Sequence, residues 1–198
     1  MASPTAPLLA EEFATHVLTT QYKDLTPDAI AQAKVFILDT LGVGISGSSA
    51  FGADAIINAG AGWGEKAEAT LWGRRDKVPA SMAAYVNGYQ IHCQEYDCVH
   101  EGAVLHPLAT LLPAAMAIAE RKGGVSGKEL ITAVAVGVNV SAGLGIASRS
   151  AMRFFRPATA GGFGAVAAVG RLLGLSKEEL VMAFGLQYSQ TKIGRAHV

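Results

Sequence analysis

The chain has 198 residues, and its 16 basic and 16 acidic side chains give a formal net charge of zero. A neutral chain lacks the basic surface that binds nucleic acid or an anionic membrane, so we expect neither partner. Hydrophobic residues make up 51% of the sequence and charged residues 16%, while 35 Ala and 23 Gly favour close packing between small side chains. The length corresponds to one domain or to a part of a larger one.

The N-terminus carries no pattern typical of secretion. The sequence reaches Glu11 and Glu12 where the apolar part of a signal peptide would continue. Two cysteines, Cys93 and Cys98, are too few for a disulfide scaffold. We therefore expect a cytoplasmic protein with reduced thiols. The uncharged run Leu130 to Ser148 has nearly the length of a membrane span, but it contains polar residues and follows a helix cap, which favours a buried central helix.

Helix caps divide most of the chain into a series of helices. Thr26 supplies a capping hydroxyl just before Pro27, a residue favoured at the first helical position. The segments 126–129 and 176–179 are both capping boxes, in which a serine and a glutamate satisfy each other's exposed amides. Apolar spacing and Gly-containing turns predict further helices at about 8–20, 53–60, 79–92, 107–121 and 158–174.

Little in the sequence indicates a sheet or a nucleotide site. The only strand-like run, Ala69 to Trp72, has no partner run across a hairpin turn, and βαβ alternation is absent. Residues 42–47 match the G-x-G-x-x-G pattern, but the preceding segment has helical spacing and starts at a helix cap. We interpret this segment as a helix end packed through small residues. The predicted fold class is all-α.

The richest polar stretch, residues 92–107, is the candidate functional segment. It contains three of the five histidines, both cysteines and three carboxylates, and apolar segments flank it on both sides. Such a segment leaves the core at the ends of two helices, where a pocket can form. Its Cys and His spacing fits none of the short zinc patterns, so we expect no metal. A solvated loop between two helices is the alternative.

Several motifs, in this order and spacing, resemble those of the MmgE/PrpD family over residues 8–191. The matching segments are Asp39-Thr-Leu-Gly42 with Ser46-Gly-Ser, Ala83-Ala-Tyr-Val-Asn-Gly88 with His92, Leu105-His106-Pro107, and Pro157-Ala-Thr159-Ala-Gly161 with Gly174-Leu175. The chain is thus identified as a partial helical domain of this family, residues 1–191, without the smaller α/β lid domain.

The resemblance implies a homodimer that needs no metal or organic cofactor and acts on small di- or tricarboxylates. Family members catalyse dehydration, decarboxylation or epimerisation next to a carboxylate, at a site between the helical and lid domains. The family's acidic, hydroxyl and histidine segment corresponds here to the residues Glu95, Asp97, Cys98, Val99, His100 and His106. Position 156, where the family has a second histidine, is Arg156.

Each candidate residue has a proposed role. His106 is the first candidate for proton transfer and His100 the second, because imidazole titrates near neutral pH. Asp97 would orient His100 or His106. Arg156, with Arg153 as a weaker candidate, would hold a substrate carboxylate through its planar guanidinium. Three further residues are predicted to bind substrate, namely Glu95, His92 and Thr159.

A purely structural role is the alternative interpretation for these residues. Each histidine would also fit a hydrogen bond at a helix end, and Arg156 would fit a surface charge. Glu95 and Cys98 stand where the family has aspartates, and Val99 stands where it has a threonine hydroxyl. The alternative function is therefore a non-catalytic, dimeric helical protein that binds a carboxylate or a partner chain.

The last residues, 192–198, differ in character from the preceding helix. Ile193-Gly-Arg-Ala-His-Val198 equals the in-frame translation of a widely used sequencing adapter. We expect this segment to be a non-native tail. On that interpretation the chain is a truncated piece, inactive alone, with apolar surface that promotes self-association.

Overall fold

The computed structural model describes residues 8–74, 76–148 and 156–191, and it confirms the all-α fold class. The described residues form eight α-helices, which are α1 (Leu9–Thr19), α2 (Pro27–Gly47), α3 (Ala53–Gly60), α4 (Ala80–His92), α5 (Pro107–Arg121), α6 (Gly127–Ala147), α7 (Arg156–Leu173) and α8 (Lys177–Gln190). Single 3₁₀ turns lie at Tyr22–Asp24, Ala61–Trp63 and Glu101–Ala103. The predicted Arg153 and the predicted tail 192–198 lie outside the described residues.

The predicted caps explain where α2, α6 and α8 begin. The Thr26 hydroxyl accepts a hydrogen bond from the Ala29 amide at the start of α2. Both predicted capping boxes form, at the first turns of α6 and α8. In α6 the hydrogen bonds from Ser126 lower the pKa of Glu129, because they stabilise its ionised form. Satisfied end amides of this kind fix helix boundaries locally, so the sequence pattern locates them well.

A small hairpin corrects one prediction. The run at Ala69 has a partner after all, because β1 (Ala69–Thr70) pairs antiparallel with β2 (Lys77–Val78). Helix side chains hold this hairpin. Asn87 of α4 accepts from the Trp72 amide and donates to the Thr70 carbonyl, while Glu120 of α5 accepts from the Thr70 amide. Strands of two residues are too short to show the alternation of apolar and polar residues that predicts a strand. The contacts that hold them come from residues distant in sequence, so a local sequence pattern does not predict them.

The core lies where α4, α5, α6 and α7 meet, and small residues allow the close approach of its helices. α6 packs closely against α7, and α7 against α5. A Cβ on Gly137 of α6 would lie 2.8 Å from the Gly164 carbonyl oxygen of α7. Residues 42–47 continue α2, and a Cβ on Gly47 would overlap the Gln90 carbonyl. The G-x-G-x-x-G segment is therefore helical and serves packing, as predicted.

Two helices, α2 and α6, are long and apolar enough to cross a membrane by length and composition alone. This is weak evidence, because core helices of globular proteins pass the same test. In α6, 56% of the apolar window is buried, in agreement with the predicted central helix. In α2 only 11% is buried, and large apolar side chains such as Leu38 are exposed. Exposed apolar residues also lie on α8, among them Leu186.

Candidate functional site

The polar segment between α4 and α5 turns back on itself twice. The His100 amide donates to the Leu105 carbonyl oxygen over 2.8 Å, which closes a short loop around a 3₁₀ turn. Glu95 and Val104 have φ angles of 55° and 51°, in the left-handed region that non-glycine residues rarely occupy. These reversals keep the segment compact and bring together residues that are far apart along it.

Asp97 is the centre of this segment, because its buried carboxylate is shared by two histidines. The side chain of Asp97 is 0% exposed. Its Oδ1 lies 3.0 Å from Nδ1 of His92, the last residue of α4, and its Oδ2 lies 3.1 Å from Nδ1 of His106, the residue just before α5. A buried carboxylate needs polar or charged partners. Asp97 therefore fixes two imidazoles at the adjoining ends of α4 and α5.

The two imidazoles lie side by side but have different hydrogen bonding. Their ring centroids are 4.7 Å apart, with an edge-to-face angle of 61°. The Nδ1 of His92 is hydrogen-bonded to Asp97, whereas the buried Nδ1 of His106 is within ion-pair distance of Asp97 but off the line of a hydrogen bond. The two side chains are 24% and 20% exposed, so each ring is partly accessible to small molecules. The Nε2 of His92 lies 3.5 Å from Oε1 of the exposed Glu95.

His92, Asp97 and His106 form a polar cluster. A cleft of about 870 Å³ opens beside this cluster. Residues of α3, α4, α5 and the start of α7 line it, and His92 and Glu95 reach it from the polar segment. Most of its wall is apolar. Among the described residues that line the cleft there is no lysine or arginine. The cleft therefore offers imidazole and carboxylate groups to a ligand but no permanent positive charge from these residues.

Three polar residues of the cleft were not predicted, namely Tyr85, Tyr89 and Thr110. Tyr85 and Tyr89 are one turn apart on α4, and His92 follows on the same face, so helical spacing from His92 would have found them. The Tyr89 hydroxyl donates to the Phe51 carbonyl oxygen over 2.7 Å. Tyr85 is about half exposed and is the more accessible of the two phenols to a ligand.

His100 lies apart from the cluster in this arrangement. Its Nδ1 accepts a hydrogen bond of 3.1 Å from the Ala103 amide, at the start of the 3₁₀ turn. This is the helix-end interaction that the sequence left open as the alternative. Asp97 was expected to orient His100 or His106, and the structure places it against His106 and His92. Spacing along the chain did not distinguish these partners.

Arg156 and Thr159 lie at the start of α7 and contact backbone groups. The Arg156 guanidinium donates to the carbonyl oxygens of Ala103 and Gly145, over 2.9 and 3.1 Å. The Thr159 hydroxyl donates to the Arg156 carbonyl oxygen over 3.1 Å. Arg156 therefore ties the polar segment to the end of α6. A role for Arg156 or Thr159 in substrate binding stays a prediction.

The environment of both cysteines of the segment disfavours the thiolate form. Burial raises the pKa of Cys98, and the negative charges of Asp97 and Asp39 act in the same direction. Burial also raises the pKa of Cys93, which lines the cleft. Because the thiolate is the reactive form, neither cysteine is set up as a nucleophile.

The cluster also has a donor set that suits a metal ion. One ligand atom each from His92, Asp97 and His106 lies within 4.8 Å of the other two. Two imidazole nitrogens with one carboxylate oxygen form a combination found in zinc and non-haem iron sites. The linear spacing conceals this set, because its members come from a helix end, a turn and a helix start.

Comparison with known proteins gives one family and several relatives. The family model described as the MmgE/PrpD N-terminal domain matches residues 11–197. The chain is 32% identical to human cis-aconitate decarboxylase over 189 residues, which is 91% of this chain and 39% of that protein. It is 32% identical to the mouse cis-aconitate decarboxylase over 85% of this chain and 36% of that protein.

A fungal protein is similar to this chain to nearly the same degree. A cis-aconitate decarboxylase-like protein of Aspergillus oryzae is 31% identical over 177 residues, covering 84% of this chain. This chain spans only 36% to 39% of the length of these three relatives. All three matches thus cover most of the chain but little more than a third of each relative.

Proposed function

Because the chain belongs to the MmgE/PrpD family, we propose that the whole protein is a lyase-type enzyme acting on small di- or tricarboxylic acids. Decarboxylation is the first reaction to test, since two relatives carry the name cis-aconitate decarboxylase. Dehydration, or epimerisation next to a carboxylate, is the second. The observation that carries this proposal is the pair of histidines held by the buried carboxylate of Asp97, of which His92 lines the cleft.

The His106 ring is our candidate for the proton-transfer group. When a substrate carboxylate leaves as CO₂, its carbon–carbon bond breaks and the bonding electron pair stays on the remaining carbon skeleton. That skeleton must then gain one proton. We propose that the protonated imidazole of His106 supplies it from Nε2, since Nδ1 faces Asp97. The ring is left neutral and regains its proton from solvent, so atoms and charge balance.

Asp97 supports this chemistry by position and charge. A carboxylate next to an imidazole stabilises the imidazolium form and fixes the ring orientation, as in other His–Asp pairs. His92 shares the same carboxylate, so a proton gained by either ring changes the electrostatic environment of the other. We propose that His92 and Glu95 contact substrate at the cleft wall, where both are found.

The negative charge of a di- or tricarboxylate requires cations near the cleft. No lysine or arginine is present among the described lining residues. We propose that other parts of the whole protein supply this charge, and that the 198-residue chain alone is inactive. The homodimer, the cytoplasmic location and the lack of a required cofactor are further proposals, which rest on the family resemblance.

An assay of the whole protein against a panel of small carboxylic acids tests the proposal. With cis-aconitate we expect release of CO₂ and loss of one carboxylate from the product, both measurable by NMR. In deuterated buffer, the carbon that gains the proton should carry deuterium. The same spectra report dehydration or epimerisation of the other acids. No turnover and no deuterium exchange with any acid would contradict an enzymatic function.

A non-catalytic carboxylate-binding protein is the second candidate. It is favoured by Val99, which offers no hydroxyl to a ligand, and by Arg156, whose guanidinium contacts backbone carbonyls. Saturable binding of an acid in calorimetry, without turnover or exchange, is the result that selects this candidate over the enzyme.

A further inference from the structure

We propose that His92, Asp97 and His106 form a binding site for one divalent transition-metal cation of the zinc type. The three side chains provide two nitrogen ligands and one oxygen ligand, and no other set of three within the described residues has donor atoms so close together. Zinc accepts imidazole and carboxylate ligands, whereas magnesium and calcium select sites built from oxygen alone.

The distances are close to those of a zinc site. With zinc bonds of about 2.0 to 2.1 Å, ligand atoms in a tetrahedral shell are about 3.3 Å apart. The single oxygen Oδ2 of Asp97 lies 3.3 Å from Nδ1 of His92 and 3.1 Å from Nδ1 of His106, and all three ligand atoms lie within 4.8 Å of one another.

The Nδ1 atom of His106 gives a second, independent reason. It is a buried polar atom without a hydrogen bond, although it faces the carboxylate of Asp97. The His106 side chain also makes no capping hydrogen bond at the start of α5. A buried nitrogen in this state costs free energy, and coordination to a cation would satisfy its lone pair.

Glu95 offers an outer carboxylate to one of the two histidines, His92. Metal-binding histidines commonly donate their other ring N–H to a carboxylate, which fixes the tautomer. With Nδ1 of His92 on the cation, Nε2 carries the proton, and it lies 3.5 Å from Oε1 of Glu95. Three protein ligands leave a fourth position for a water molecule.

The cation site does not depend on the proposed function. One consequence does rest on the proposed function. A cation on Nδ1 holds the His106 ring neutral, so the ring cannot deliver a proton to the substrate. A bound zinc ion would then act as an inhibitor of the enzyme and not as its cofactor.

Calorimetric titration of the chelator-treated protein with Zn²⁺ tests the site without any substrate. We expect one ion per chain, and binding weakened by at least about tenfold in each of H92Q, H106Q and D97N. His16→Gln is the matched control, because His16 lies in α1, outside the cluster, and should leave zinc affinity unchanged. Co²⁺ gives a second readout through its visible absorption, which H106Q should abolish.

Helix content by circular dichroism shows which variants fold. If D97N does not fold, H92Q and H106Q still decide the outcome, because both rings are partly exposed. The proposal is overturned if the wild-type protein binds no Zn²⁺, or if H92Q and H106Q bind it as tightly as the wild type. Loss of turnover in the carboxylic-acid assay with intact zinc binding would count against the proposed function alone.

Discussion

One carboxylate, Asp97, determines the local structure of the candidate site. Its two oxygens face one imidazole each, and its side chain is closed to solvent. A buried carboxylate needs polar partners, so the two histidines and the aspartate form one unit. The sequence identified all three residues but did not show which histidines meet Asp97. The left-handed turn at Glu95, which brings the segment back toward α4, has no recognisable local signal.

Removal of this carboxylate should destabilise the fold. We expect Asp97→Ala to lower the free energy of unfolding by about 1 to 3 kcal/mol, because Nδ1 of His92 loses its hydrogen-bond partner and the buried Nδ1 of His106 loses the carboxylate that it faces. Asp54→Ala is the control, since Asp54 is 82% exposed and pairs with Arg74 at the surface. The control should cost at most about 1 kcal/mol. Urea unfolding followed by circular dichroism measures both, and equal costs would contradict the structural role of Asp97.

At the scale of whole elements, the sequence predicted the helices far better than the hairpin. Caps at Thr26, Ser126 and Ser176 act within one helical turn, so a local pattern reveals them. The β1–β2 pair depends instead on side chains of α4 and α5 that are distant in sequence. The contact between α6 and α7 is also non-local, and glycines on both helices make it possible.

This helix contact gives a prediction with an internal control. A Cβ on Gly164 would lie 2.6 Å from the Gly137 carbonyl oxygen and 2.9 Å from the Ser141 Cβ. We therefore expect Gly164→Ala to destabilise the protein by about 1 to 3 kcal/mol through overpacking. A Cβ on Gly143, on the exposed side of α6, would meet nothing within 4 Å.

Gly143→Ala should accordingly stabilise the protein by about 0.5 to 1 kcal/mol, because alanine favours a helix over glycine. Thermal unfolding of both variants measures the difference. A Gly164→Ala variant as stable as Gly143→Ala would show that α6 and α7 do not approach as closely as described.

For the whole molecule, motif order and helix caps in the sequence were enough to predict the family and the fold class. They were not enough to predict how the residues of the site are arranged. The sequence predicted that Arg156 holds a substrate carboxylate, and it did not show that the guanidinium donates to the carbonyl oxygens of Ala103 and Gly145. Such placements depend on how separate helices pack. The cleft joins α4, α5 and α7, so its composition becomes visible only in the folded chain.

We propose that the histidines on Asp97 carry the chemistry of a lyase-type enzyme. The most direct test is kcat/KM of the whole protein for an accepted carboxylic acid, in the wild type, H106Q and the control H16Q. We predict that H106Q lowers kcat/KM by about 10² to 10⁴ fold, the usual contribution of a proton-transfer group, and that H16Q leaves it unchanged. A folded H106Q protein with the wild-type kcat/KM would contradict the account.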